Sequence, residues 1–156
     1  MFRWMTGVAV GLALMVLAVG CGGGGDSTTE VTKAEFTQQA NSICAEGKKT
    51  RKAAYENYAK EVQAKANGTE NSKLEQELAE EMIHKTVVPS LQDQLAELEE
   101  LEVPAADQGE ISKMLNTLSK GTGDLEKGGV RKLVSGGKLV SFQEQAEGYG
   151  LSCAVF

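Results

Sequence analysis

The sequence predicts an all-α protein: an antiparallel bundle of about four helices after a cleaved signal peptide and a Gly-rich tether, with one disulfide. Three observations carry that reading. Apolar residues recur every three or four positions through most of the chain beyond residue 32, the period of one helix face. Two such stretches open on capping boxes, Thr32-Lys33-Ala34-Glu35 and Ser72-Lys73-Leu74-Glu75. No segment alternates apolar and polar residues for long enough to build a sheet; Val87-Val88 and Ala154-Val155-Phe156 are too short.

Residues 1–21 read MFRWMTGVAVGLALMVLAVGC. Arg3 sits beside the starting amine, an uncharged run of 17 residues follows from Trp4 to Gly20, and small residues precede Cys21. This is the order of an export signal. The segment Leu17-Ala18-Val19-Gly20-Cys21 resembles the lipobox of bacterial lipoproteins, with Ala18 standing where Leu is commonest. The resemblance implies cleavage between Gly20 and Cys21 and a diacylglycerol on the Cys21 thiol. Two acyl chains anchor stably where one does not. An uncleaved membrane helix is the rival reading, since 17 residues reach about 25 Å, near the lower limit for a span. Simple cleaved secretion is a third.

The domain division that follows is 1–20 signal peptide, 21–31 lipidated Cys and flexible tether, and 32–156 helical domain. Gly22–Gly25 and the polar residues after them have the composition of a flexible spacer. Cleavage removes Arg3 and Trp4, so the processed chain has no Trp and carries 15 cationic against 22 acidic side chains, net −7.

With Cys21 lipidated, Cys44 and Cys153 remain, and an exported chain with two thiols usually pairs them. A reactive thiol at Cys153 is the rival, although no His or Arg lies near it in sequence to lower its pKa.

The first helix is capped by Thr32 and carries Phe36, Ala40, Ile43, Gly47, Ala54, Tyr58 and Val62 on one face, with Cys44 on its edge. It runs to Ala66 and stops at Asn67-Gly68. Gly47 weakens it, and the expected return is close approach of another backbone at the disulfide. Leu74, Leu78, Met82, Val88, Leu91, Leu95, Leu98 and Leu101 continue the stripe after Ser72, and Pro89 within it predicts a kink or two shorter helices. Val103-Pro104 ends that element. Asp107-Gln108-Gly109-Glu110 caps a helix bearing Ile111, Met114, Leu115, Leu118 and Leu125. Nine glycines from Gly109 to Gly150 leave the segment 121–137 unassigned. A last helix over Lys138–Glu147 presents Leu139, Phe142 and Ala146, ends at Gly148-Tyr149-Gly150, and returns Cys153 to helix one.

The processed chain resembles a group of small, poorly characterised actinobacterial lipoproteins. The matching residues are Phe36 with Asn41-Ser42-Ile43-Cys44, Pro89, Leu101-Glu102-Val103-Pro104, and Tyr149-Gly150-Leu151-Ser152-Cys153, spanning roughly 32–153. Asn41 stands where that group tends to have Asp. The resemblance implies a paired Cys44 and Cys153 and brings no known activity.

Several chemistries lack their residues. A net charge of −6 argues against nucleic-acid partners, which need a basic patch. One His and three Cys exclude zinc fingers, iron–sulfur clusters and His-rich metal sites. Glu81-Met82-Ile83-His84 has the Glu-x-x-His spacing of di-iron bundles, which need it twice; His84 reads as a satisfied or solvent-facing side chain. Glu97, Glu99, Glu100 and Glu102 lack calcium-loop order and read as a solvated face. The one basic cluster, Lys48-Lys49-Thr50-Arg51-Lys52, reads as an exposed face of helix one, with contact to anionic head groups as the alternative. Gly121-x-Gly123 and Gly128-Gly129 are not phosphate loops. Asn67-Gly68-Thr69 fits a glycosylation sequon but reads as a turn. Tyr55 and Tyr58 with Phe36 form either core or the lining of a pocket between helices.

The expectation is a lipid-anchored lipoprotein on the outer face of the cell membrane, with no cofactor, acting by binding. Its partner is another envelope protein, a cell-wall polymer or a small apolar ligand. The rivals are a small envelope enzyme using Cys153 or His84, and a structural spacer without ligand.

Overall fold

The computed structural model of the chain describes residues 30–66 and 72–155. The signal peptide, the cleavage at Gly20–Cys21, the lipidation of Cys21 and the turn with its sequon at 67–69 lie outside the described residues. Helix α1 spans Lys33–Ala66, α2 Ser72–Met82, α3 Val88–Glu99, α4 Gln108–Ser135 and α5 Gly137–Tyr149; a π-helical turn, Ile83–Val87, joins α2 to α3 without a break, and a 3-10 turn covers Ala105–Asp107. No strand occurs among the described residues, as the sequence predicts. The result is four rods, α1, the α2–π–α3 arm, α4 and α5, each antiparallel to its neighbour. The register is fixed by contacts: Cys44 meets Gln94, Gly47 meets Ser90, Glu80 meets Val130 and Thr117 meets Gln145.

The first capping box forms as the sequence predicts. The Glu35 carboxylate accepts from the Thr32 amide at 2.9 Å and hydroxyl at 2.7 Å, and the Glu35 amide donates to Thr32 Oγ1 at 3.3 Å. Those bonds hold the Glu35 carboxyl below its ordinary pKa. The second box differs: Ser72, the expected cap, is already the first helical residue of α2. Asp107 occupies the N-cap position of α4 without a capping bond; its carboxylate instead accepts from the Tyr149 hydroxyl at 2.6 Å.

Pro89 does not stop the arm, which is two shorter α-helices joined by the π turn just before the proline. Proline offers no N–H and its ring crowds the carbonyl four residues back. The backbone meets this by widening one turn earlier, so that the Val88 amide donates to Ile83 O, five residues back, and the helix continues through Pro89. The Gly-rich segment left open by sequence is helical, with a fault inside α4 and a break at Gly136 between α4 and α5. Gly129 takes φ 52, ψ −138, a conformation L side chains avoid, and splits α4 there. Gly121 has a different use: a Cβ on it would lie 2.8 Å from Leu139 Cδ2 and 3.0 Å from the Leu139 amide nitrogen, so α5 approaches α4 closely there. Helix α5 is longer than expected, starting at Gly137 and ending at Tyr149, with Gly150 in the left-handed region as its cap.

The core joins Phe36, Ala40 and Cys44 of α1 to Val87, Leu91 and Leu98, to Ile111, Leu118 and Leu125, and to Phe142 and Ala146. Cys44 and Cys153 are bonded across 109 residues, with Cα atoms 4.8 Å apart. Beyond α5 the chain runs extended along α1. Leu151, Cys153 and Val155 are buried while Ser152 is exposed and Ala154 half-buried.

Three expectations are corrected by this packing. Gly47 does not admit another backbone: a Cβ there would strike the Gln94 amide and the Arg51 guanidinium. The tether is not free at its end, because Glu30 Oε1 accepts from the Ala105 amide at 3.0 Å. The basic cluster is not one exposed face. Lys48, Lys49 and Lys52 are exposed, but Arg51 is only 1% exposed.

Candidate functional site

The site is built around that buried arginine. One helical turn beyond Gly47, Arg51 points between α1, α3 and the C-terminal tail. Its Nε donates to Val155 O at 2.7 Å, one terminal nitrogen donates to Ser90 Oγ at 3.1 Å, and the other donates to Gln94 Oε1 at 3.0 Å and Ala154 O at 3.1 Å. Gln94 also donates to Cys44 Sγ at 3.6 Å, and the Ser152 amide donates to Asn41 Oδ1 at 2.6 Å. Side chains from Asn41, Cys44 and Arg51 thus fasten the tail at three points along about three turns of α1. A tail without secondary structure must still satisfy its backbone polar groups, and helix side chains do so here.

All four acceptors of Arg51 are uncharged. Among the described residues no carboxylate lies within ion-pair distance of it. Burial pushes the guanidinium down to about 10, still well above neutrality, so the charge persists at pH 7.

Beside Arg51 a cavity of about 540 Å³ opens between the helices. Helix α1 supplies Lys48, Arg51, Lys52, Tyr55 and Tyr58, and the facing wall is Ala79, Met82, Val87, Val130 and Leu133. That wall is wholly apolar. Two backbone irregularities shape it. The π turn places Val87, and the fault at Gly129 re-aims Val130 and Leu133. The fault is held by Glu80, whose carboxylate accepts from the Val130 amide at 3.3 Å and occupies the space a Cβ on Gly129 would need. Tyr55 is 60% exposed at the mouth and lies 6.1 Å, centroid to centroid, from Tyr58. Burial, followed by the Glu75 and Tyr55 charges, pushes the Tyr58 hydroxyl pKa up. The volume falls within the roughly 300–1,000 Å³ range of small-molecule sites. A second hollow of about 530 Å³ beside Leu98 and Ile111 has mixed walls that include Glu99, Gln108 and Asn116.

The other candidates fall elsewhere. Phe36 does not join Tyr55 and Tyr58; it is buried at the opposite end of α1, edge-on to Tyr149 at 5.9 Å. Lys33 sits over the Tyr149 ring, 3.9 Å from its centroid. Cys153 is fully buried and bonded to Cys44, so it presents no thiol in this state. His84 is exposed, with Nε2 3.6 Å from Glu80 Oε2, and does not line the cavity. Glu97, Glu99, Glu100 and Glu102 all face solvent. Among the described residues no group of His, Cys, Asp and Glu is placed to hold a metal, and no helix is long and apolar enough to cross a membrane.

Sequence reasoning missed Arg51. The signal was present: the apolar stripe of α1 passes from Gly47 to Ala54 with a vacant place on its face, and Arg51 fills it. A bundle that is all helix, tied by one disulfide and hollowed beside a buried charge is, in class, a helical domain with an internal ligand-sized cavity. No family model, curated protein or solved structure matches the chain.

Proposed function

We propose that this chain is a lipoprotein held on the outer face of the cell membrane by a diacylglycerol on Cys21, whose helical domain binds a small apolar ligand without catalysing its conversion. The anchoring half rests on the sequence Leu17-Ala18-Val19-Gly20-Cys21 and on the Gly-rich spacer after it. The binding half rests on one observation, the apolar cavity beside Arg51. A spacer needs no such hollow. Of the partners weighed from sequence, a small ligand is the one a cavity of this size suits; an envelope protein or wall polymer would call for a broad surface.

Both halves are open to mass spectrometry. The membrane-extracted protein should lack residues 1–20 and carry acyl mass on Cys21; an intact leader or bare Cys21 refutes the anchor. Native spectra of gently purified protein should show an adduct that disappears in Ala79→Trp, where the indole fills the cavity. An adduct that survives that substitution, or none at all, refutes the binding reading.

A further inference from the structure

We propose that the cavity takes a single-chain anionic amphiphile, a free long-chain fatty acid, with its hydrocarbon against Met82, Val130 and Leu133 and its carboxylate at the Lys48–Lys52 edge. This rests on the binding reading above and names its ligand. The argument is one of matching polarity. The wall opposite α1 offers a ligand no hydrogen-bonding side chain, since Ala79, Met82, Val87, Val130 and Leu133 are all apolar. It accepts hydrocarbon and nothing that must keep its polar groups solvated.

The α1 wall is the reverse. Lys48, Arg51 and Lys52 stand at spacings of three and four, so one turn of one face presents three cations to one end of the cavity. Arg51 spends its hydrogen bonds on neutral acceptors and keeps its charge. Lys48 has no ion-pair partner among the described residues, and Lys52 has only Glu56, 4.0 Å away and exposed to solvent. In a chain of net charge −6, a cationic edge on an apolar hollow is complementary to a molecule with one anionic end and one hydrocarbon end. A volume of about 540 Å³ suits one chain rather than the two of a phospholipid.

The test uses the full chain in lipid nanodiscs with two photoreactive probes, a diazirine-bearing palmitic acid and the matching neutral hexadecanol. Peptide mapping should place the carboxylate probe on the segments holding Met82, Val130 or Leu133. Competing acids two methylenes shorter should be about 15-fold weaker, since each buried CH2 contributes ~0.8 kcal/mol. The double variant Lys48→Gln with Lys52→Gln, both exposed and foldable, should cut carboxylate labelling about fivefold and leave the alcohol unchanged. Ala79→Trp should abolish both. Equal labelling by acid and alcohol, or a double variant without effect, overturns the anionic assignment while the binding reading stands. Labelling by neither probe, in protein whose native adduct is still lost in Ala79→Trp, overturns the amphiphile and leaves some other ligand in the cavity.

Discussion

Replacing Arg51 with Met asks which of two opposed effects governs the buried guanidinium. The side chain is 1% exposed, and burial alone pushes its pKa down to about 10, so removing the charge relieves a real desolvation cost. Met also fills much of the volume of the arginine stem. Against this, Val155 O, Ala154 O, Ser90 Oγ and Gln94 Oε1 all lose a donor. A buried acceptor left without a partner costs ~1–3 kcal/mol. Ser90 loses least, because its hydroxyl already reaches Gly47 O at 3.4 Å. The two tail carbonyls can recover only by turning to water, which draws Val155 out of the core, where it is 4% exposed. Re-exposing a valine forfeits ~1.5–3 kcal/mol.

Two orphaned carbonyls, or one lost valine, outweigh the relief. The net expectation is a loss of about 3 kcal/mol, or roughly 6–12 °C in melting temperature for a chain of this size. Thermal unfolding of the oxidised protein, followed by far-UV circular dichroism at pH 7, measures it. Arg51→Lys should be at least as damaging as Arg51→Met. It keeps a desolvated charge, and its ammonium cannot match the planar fork that reaches four acceptors. A Met variant melting within about 2 °C of the parent would refute the reasoning; desolvation would then cancel the hydrogen bonds, and the disulfide, the Asn41 bond to the Ser152 amide and the buried Leu151 and Val155 would suffice to hold the tail.

Replacing Cys44 and Cys153 by Ala should cost ~4–5 kcal/mol in guanidinium unfolding, because the bond closes a loop across 109 residues; a loss under about 1 kcal/mol contradicts this. Gly129→Ala should destabilise by ~1–3 kcal/mol, since its φ of 52 disfavours a side chain and its Cβ would displace the Glu80 carboxylate from the Val130 amide; Glu80→Ala, which loses that cap and the solvent-exposed contact with His84, should cost ~1 kcal/mol by the same melts. Burial, then the bond to Asp107, pushes the Tyr149 hydroxyl well above the ordinary tyrosine pKa. The folded state therefore keeps a proton that the unfolded chain gives up near pH 10, and stability falls as pH rises beyond that point. Tyr149→Phe should show a shallower alkaline loss between pH 10 and 12, and identical slopes in the two proteins would contradict the assignment.

Most of the fold is legible in the sequence because most of it follows from period and caps. The stripe from Phe36 to Val62 and the box at Thr32 give α1 its start and its inward face, and the leucines from Leu74 to Leu98 give the arm. The errors fall where a residue has two physical outlets. Asp107 has the position and chemistry of a cap, and its carboxylate goes to Tyr149, forty-two residues away. Pro89 forbids an ordinary turn, and sequence does not say whether the chain kinks, breaks or widens into the π turn it adopts. Glycines between 121 and 137 read as breakers. Their cost of ~1 kcal/mol each relative to Ala is small beside the burial of Leu125 and Leu139, and the helix is interrupted only at Gly129 and at Gly136, where α4 gives way to α5.

The cavity was not legible for a related reason: it is made where regular packing fails. The cavity lies where the arm and α4 both depart from regular α-helix, Val87 closing the π turn and Val130 following Gly129. Pro89 imposes one fault and Gly129 another, and the two lie on facing elements, where Glu80, on the turn before the π turn, reaches the Val130 amide beside Gly129. Each fault is traceable to a single residue, but their alignment across the bundle depends on register, which no local pattern encodes. The same holds for Arg51. A cation within an apolar stripe is a conflict at the level of α1 alone. It resolves only when a tail about a hundred residues later brings two carbonyls to it, and in resolving, it leaves a positive charge standing at the wall of the hollow.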